Sequence, residues 1–223
     1  MPAAPTSLAA LRHLLAERFP TLPKSAGRVL PTGIAGLDAA TGGLPLGAVT
    51  GGLPLGAVTE IVCQTPSCGG QLFLGQLLTV TRAASLRVAL IDGHDAFDPA
   101  SFPSDTLAHL VWVRCRTFTE ALRATDFLAR DANLALVVLD LRRAPEADWR
   151  RTPATTWHRL QRAATDASLA LVVITPRPAV PSAQLRLILS TPHDLSALST
   201  PRATLATTLA PTLQRHRLSA ASA

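Results

Sequence analysis

The chain has 223 residues, 48% of them hydrophobic, and a formal net charge of +6. That apolar supply suffices for one packed domain and excludes global disorder, while no apolar run is long enough to span a bilayer. Three cysteines (Cys63, Cys68 and Cys115) exclude a disulfide scaffold, and Met1–Ser7 lacks the basic-then-apolar pattern of a secretory signal, so the expectation is a cytoplasmic protein without a membrane partner.

In chain order, Thr6 or Ser7 supplies an N-cap for a helix over Leu8–Phe19, ended by Pro20 and Pro23. Leu8, Leu11, Leu15 and Phe19 fall on one face. Two readings are open for that stripe: it packs on its own domain, or it docks on a partner or a second copy. Lys24–Arg28 reads as a linker, and Lys24 is the one lysine of the chain. Leu37–Ala40 reads as a short helix, with Gly33 and Gly36 as turn residues. Gly42–Thr50 is then repeated letter for letter as Gly51–Thr59. The unit is too short and too perfect for a solenoid, so a recent duplication is the simpler origin. The second copy is assigned to the native register because it feeds Glu60, and the first is expected to be an added surface loop.

Glu60–Val62 is an apolar strand, Cys63–Gly70 a loop of small residues, and Gln71–Ala84 a helix. This order is the frame of a phosphate-binding loop, in which backbone N–H groups and a helix N-terminus hold an anion. The working parts are missing. A lysine followed by Ser or Thr should come after Gly69, and Gly70 and Gln71 stand there instead. The candidate nucleotide-site residues, read as vestigial, are Cys68, Gly69, Gly70, Gln71, His94 and Asp140.

Arg87–Asp92 and Leu134–Asp140 are apolar runs ending in a carboxylate, as buried parallel strands do. Leu110–Arg114 and Leu169–Ile174 are further strands. Thr117–Arg130 and Trp157–Ala167 are helices, the former with Phe118, Ala121, Leu122, Thr125 and Leu128 inward. Gln184–Ser190 alternates like an edge strand, and the segment from Ser199 onward is expected to be irregular. Alternating strands and helices predict an α/β fold with a mostly parallel central sheet. Ligands in such sheets sit at the carboxyl ends of the strands, where Cys63–Gly70, His94 and Asp140 would converge.

Other constellations receive ordinary readings. Cys63, Cys68 and His94 lack the spacing and the fourth member of a zinc site, and the cysteines read as small buried hydrophobes. Arg142, Arg143, Arg150 and Arg151 bracket Trp149 in a pattern that can grip single-stranded DNA, but a solvated Arg-rich loop is the simpler reading. Trp112 and Trp157 are assigned to the core.

Pro31–Asp38, Gly51–Gly56 and Glu60–Val62 resemble the opening of the RecA recombinase core. Asp92–Pro99 resembles the stretch carrying its catalytic glutamate, and Leu136–Asp140 its Mg²⁺-associated strand. The resemblance runs from Pro31 to Ser190 and implies a RecA-like core. It also marks three departures: the loop lysine is lost, His94 takes the place of the glutamate, and Ile174–Gln184 is a short Pro-rich link where RecA has a longer DNA-binding loop. With the N-terminal Leu14–Pro20 segment, the pattern resembles the ImuA family of RecA-like, SulA-related proteins without recombinase activity. That resemblance implies a pseudo-ATPase without a cofactor, acting as an accessory protein in damage-induced, mutagenic translesion synthesis. Its expected partner is a Y-family-polymerase-like protein, ImuB, with RecA as a second candidate. Weak nucleic-acid binding and self-association stay open. The alternatives are a RecA-like ATPase or DNA-binding recombination mediator, and a cell-division inhibitor of the SulA type. The expected division is a docking helix and linker over 1–24, a RecA-like core over 25–198, and an irregular tail over 199–223.

Overall fold

The computed structural model describes residues 28–41 and 51–216. The Leu8, Leu11, Leu15 and Phe19 stripe, most of the Lys24–Arg28 linker and the first repeat copy lie outside them.

A two-stranded ribbon opens the fold. β1 (Val29–Leu30) pairs antiparallel with β2 (Leu53–Pro54), and α1 (Ala35–Thr41) lies between them in sequence. Asp38 folds back on the turn before α1, accepting from the Thr32 and Gly33 amides and the Thr32 hydroxyl. Gly33 has φ +72°, and Gly36 lies within α1. After α1 the second copy, not the first, supplies β2 and runs into β3 (Ala57–Cys63).

The main sheet has seven strands in the order β5-β4-β6-β7-β3-β8-β9. The remaining members are β4 (Val88–Asp92), β5 (Leu110–Arg114), β6 (Leu136–Asp140), β7 (Ala170–Thr175), β8 (Leu185–Leu189) and β9 (Thr212–His216). All pairings are parallel except β8 with β9. Successive side chains of a strand point to opposite faces, and here both faces are covered. In β6, Leu136 and Val138 enter one core while Val137 and Leu139 enter the other. That two-sided demand is why these strands read as unbroken apolar runs.

The first face is covered by α2 (Gly70–Ala83), with α3 (Ser104–Leu107) and α7 (Arg202–Thr207) packed against it. The second is covered by α4 (Phe118–Leu128), α5 (Glu146–Arg151) and α6 (Ala154–Ala167). α4 is capped by Thr117, whose hydroxyl accepts from the Glu120 amide, while the Glu120 carboxylate accepts from the Arg116 amide just before the cap. Phe118, Ala121 and Thr125 of α4 are buried, with Leu122 and Leu128 beside them.

Three expectations are corrected. Residues 199–216 are not an irregular tail: they form α7 and β9, which belong to the core fold. β8 is not the sheet edge, because β9 pairs along its open side. The Arg142–Arg151 stretch is not a solvated loop. It contains α5, and Trp149 is buried, stacked on Trp157 at 5.9 Å and edge-on to Phe118 at 5.1 Å. A ring held this way has no free face for a base.

The Thr41 hydroxyl accepts from the Gly52 amide at 2.8 Å, joining the two described segments that flank the first copy in sequence. Deleting Gly42–Thr50 would place Thr41 two residues before Gly52, the spacing of a Ser/Thr turn that makes this same bond. The shortened chain is therefore expected to fold unchanged and melt within a few degrees of the parent, at roughly 2–4 °C per kcal/mol for a domain of this size. A larger fall in a thermal melt would show that both copies are structural.

Candidate functional site: a closed phosphate-loop frame

β3 ends at Cys63, the chain turns through residues 64–69, and α2 begins at Gly70. Gly69 adopts φ +90°, the left-handed region that favours glycine. A Cβ there would also lie 2.4 Å from Leu209 Cδ2 and 3.4 Å from His193 Nε2. The loop is thus lined by its own chain. The Gln64 amide donates to the Leu189 carbonyl, the Thr65 hydroxyl to the Ser190 carbonyl, and the His193 amide to the Ser67 carbonyl. Between the loop, Arg142, Arg143 and the 193–205 segment lies an open cleft of about 890 Å³. Arg202 also lines it, its guanidinium 4.3 Å from the Phe102 ring centroid. Leu195 and Leu198 stand on the rim, 85% and 83% exposed.

The carboxylate at the end of β6 is already taken. Asp140, with a side chain only 1% exposed, accepts from Arg142 Nε at 2.9 Å and Nη2 at 2.5 Å, and from the Arg142 amide at 3.1 Å. The same guanidinium reaches the loop: a Cβ built on Gly70 would be 2.8 Å from Arg142 Nη1 and 2.8 Å from Cys63 Sγ. The loop position that lacks lysine is therefore covered by an arginine from the next strand but one, which also neutralises the carboxylate available for a metal. Such a fork-to-carboxylate pair is geometrically specific and hard to displace from a site sheltered from water.

Gln71, in the place of the loop Ser or Thr, donates through Nε2 to the Ala96 carbonyl at 3.0 Å. Asp92, wholly buried at the end of β4, accepts from the Ala96 and Phe97 amides. Both residues shape the loop after β4. His94 leaves the same strand end, but it is not among the residues lining the cleft. The expected convergence of His94 with the loop is therefore not realised: Cys68, Gly69, Gly70 and Gln71 line the cleft, and Asp140 sits beneath it under Arg142.

Cys63 and Cys68 are free thiols at the two ends of the loop, and both line the cleft. The thiol of Cys63 hydrogen-bonds to Cys68. That bond, with help from backbone amides that include Gly70, draws the Cys68 pKa down to about 6 against the opposing effect of burial. Cys63 is pushed up by the same bond, then by burial. Among the described residues no three His, Cys, Asp or Glu side chains gather as metal ligands, and no helix is long and apolar enough to cross a membrane.

Sequence reasoning missed three contributors: Arg142 as the partner of Asp140, and His193 and Leu209 as the covers of Gly69. The nearness of Arg142 to Asp140 was a usable signal. Nothing local could have revealed the other two, which reach the loop from beyond residue 190.

The sheet order, the strand–loop–helix frame and the carboxylate ending β6 define a RecA-like α/β fold. A crystal structure of the RadB recombinase is similar to this chain, with a TM-score of 0.56 and 19% sequence identity, covering 72% of this chain and 82% of that one. At that identity the likeness shows the fold. No protein-family profile matches the chain, and no curated protein matches it.

Proposed function

We propose that the chain is a non-catalytic accessory protein on a RecA-like fold, acting in damage-induced translesion DNA synthesis through an ImuB-like, polymerase-related partner. The observation that carries the non-catalytic reading is the Arg142–Asp140 pair lying against Gly70. Phosphoryl transfer needs a loop cation, a metal-holding carboxylate and a group that orients the nucleophile. Here the loop cation is absent, the carboxylate is bound to arginine, and His94 lies outside the cleft lining.

The reading against a recombinase-style DNA loop rests on how the 176–183 link is held. The Ala179 and Val180 amides donate to Glu60, the Ser182 hydroxyl donates to the Trp157 carbonyl, and Arg177 pairs with Glu146. Protein binding is supported by the exposed Leu195 and Leu198 on the cleft rim, which a partner surface would bury. The translesion role and the partner's identity come from the resemblance to the ImuA family.

Purified protein is expected to show no Mg²⁺-dependent ATP turnover above an Asp140→Ala control, and to co-purify with the polymerase-related partner when the two are co-expressed. Turnover clearly above that control would end the non-catalytic reading. Failure to co-purify would end the proposed partnership.

A further inference from the structure

We propose that Cys63 and Cys68 form a hydroperoxide-reactive thiol pair seated in the phosphate-loop frame, a covalent modification site that closes to an intramolecular disulfide.

The strand–loop–helix frame carries both thiols, Cys63 at the end of β3 and Cys68 just before α2. α2 has no side-chain N-cap, so amides of its first turn have no side chain to receive them. The Gly70 amide hydrogen-bonds to the sulfur of Cys68 instead, as do the amides of Thr65 and Cys68. A helix N-terminus with inward amides favours a thiolate as it would a phosphate oxygen. Arg142 supplies the neighbouring positive charge, with its Nη1 beside Gly70. The second thiol is in place: Cys63 is hydrogen-bonded to Cys68 and rests against Gly70. A low-pKa thiolate with an adjacent resolving thiol is the arrangement of peroxide-sensing cysteines. The cleft gives a small oxidant access to both.

The chemistry balances in two steps. The Cys68 thiolate attacks one oxygen of hydrogen peroxide, the O–O bond breaks, and the sulfur becomes a sulfenic acid while the departing hydroxide takes a proton to form water. The Cys63 sulfur then attacks the Cys68 sulfur, its proton leaves with the sulfenic hydroxyl, and a second water departs as the S–S bond forms. Two thiols are oxidised by two electrons, and one peroxide is reduced to two waters.

The test uses the full-length protein and carries its own control. Trypsin leaves Cys63 and Cys68 together on residues 29–82, whereas Cys115 falls between Arg114 and Arg116. Burial and the charges of Glu120 and Asp92 push the Cys115 thiol up. In the reduced protein, iodoacetamide is expected to label Cys68 about tenfold faster than Cys115 at neutral pH, the gain in thiolate being partly offset by its lower nucleophilicity. The labelling rate should level off above an inflection near pH 6. After stoichiometric hydrogen peroxide, mass spectrometry should find the 29–82 peptide lighter by two hydrogens, reversibly with dithiothreitol. Cys63→Ser should stop at a dimedone-trappable sulfenic acid, and Cys68→Ser should lose the fast reaction. Labelling of Cys68 no faster than Cys115, or peroxide treatment leaving both thiols free or yielding only sulfinic acid, overturns the proposal. The wild-type measurements need no variant to fold.

Discussion

Replacing Glu60 by alanine is expected to lower the unfolding free energy by about 3–5 kcal/mol, a fall of roughly 10 °C or more in melting temperature. Glu60 lies mid-strand in β3 and is wholly buried. Its Oε2 accepts from Arg186 Nε at 2.5 Å. Its Oε1 accepts from the Ala179 amide at 2.6 Å, the Val180 amide at 3.1 Å and the Thr175 hydroxyl at 3.1 Å. One carboxylate thus joins β3, β7, β8 and the link between the last two. Truncation leaves Arg186, whose side chain is 10% exposed, without a counter-charge and strips the half-buried Ala179 amide and the buried Val180 amide of their acceptor. The orphaned groups dominate the cost, not the lost attraction. Glu60→Gln keeps an acceptor for the amides and should cost less. A Glu60→Leu, Arg186→Met pair, which buries no unmatched charge, should cost less than the sum of its singles. Urea unfolding of the parent and these variants checks this; a loss under about 1 kcal/mol for Glu60→Ala would show that solvent reaches the pair.

The second large effect is expected at Arg142. Its alanine variant leaves the Asp140 carboxylate buried and unpaired, again at a cost of about 3–5 kcal/mol. Arg142→Lys should recover only part of this, since an ammonium cannot make the two parallel bonds that the guanidinium makes. The pair also bears on any attempt to rebuild the loop. In Gly70→Lys, Gln71→Thr, the new Cβ would meet Arg142 Nη1 and Cys63 Sγ at 2.8 Å, so the lysine enters only if the arginine and the thiol shift. That double variant is expected to be less stable than the parent and still to lack ATP turnover. His94, in the place of the family's glutamate, does not line the cleft, and the double variant does not restore that glutamate. Ordinary turnover by the double variant would show that the loop lysine alone had been limiting.

The central strands were legible in the sequence for a simple reason. A parallel strand covered on both faces is apolar along its buried length, and residues 88–91, 136–139 and 170–174 are, each followed by a polar residue at the strand end. The loop was legible because its turn at Gly69 demands glycine at φ +90°. The assignment of the second repeat copy to β2 and β3 followed from its continuity with Glu60. What the sequence could not contain was partnership across distance. β9 is polar at every position but Leu213 and follows Pro211, and only the open side of β8 makes it a strand. Trp149 read as part of a solvated Arg-rich loop until Trp157 and Phe118 were folded onto it. Glu60 reads as the start of a strand, and only the fold places it mid-strand with Arg186, far along the chain, beside it. Local composition determined the sheet and the loop because burial and backbone conformation are local demands on each residue. Whether the loop stayed open or was closed by Arg142, His193 and Leu209 was decided only when the chain brought them together.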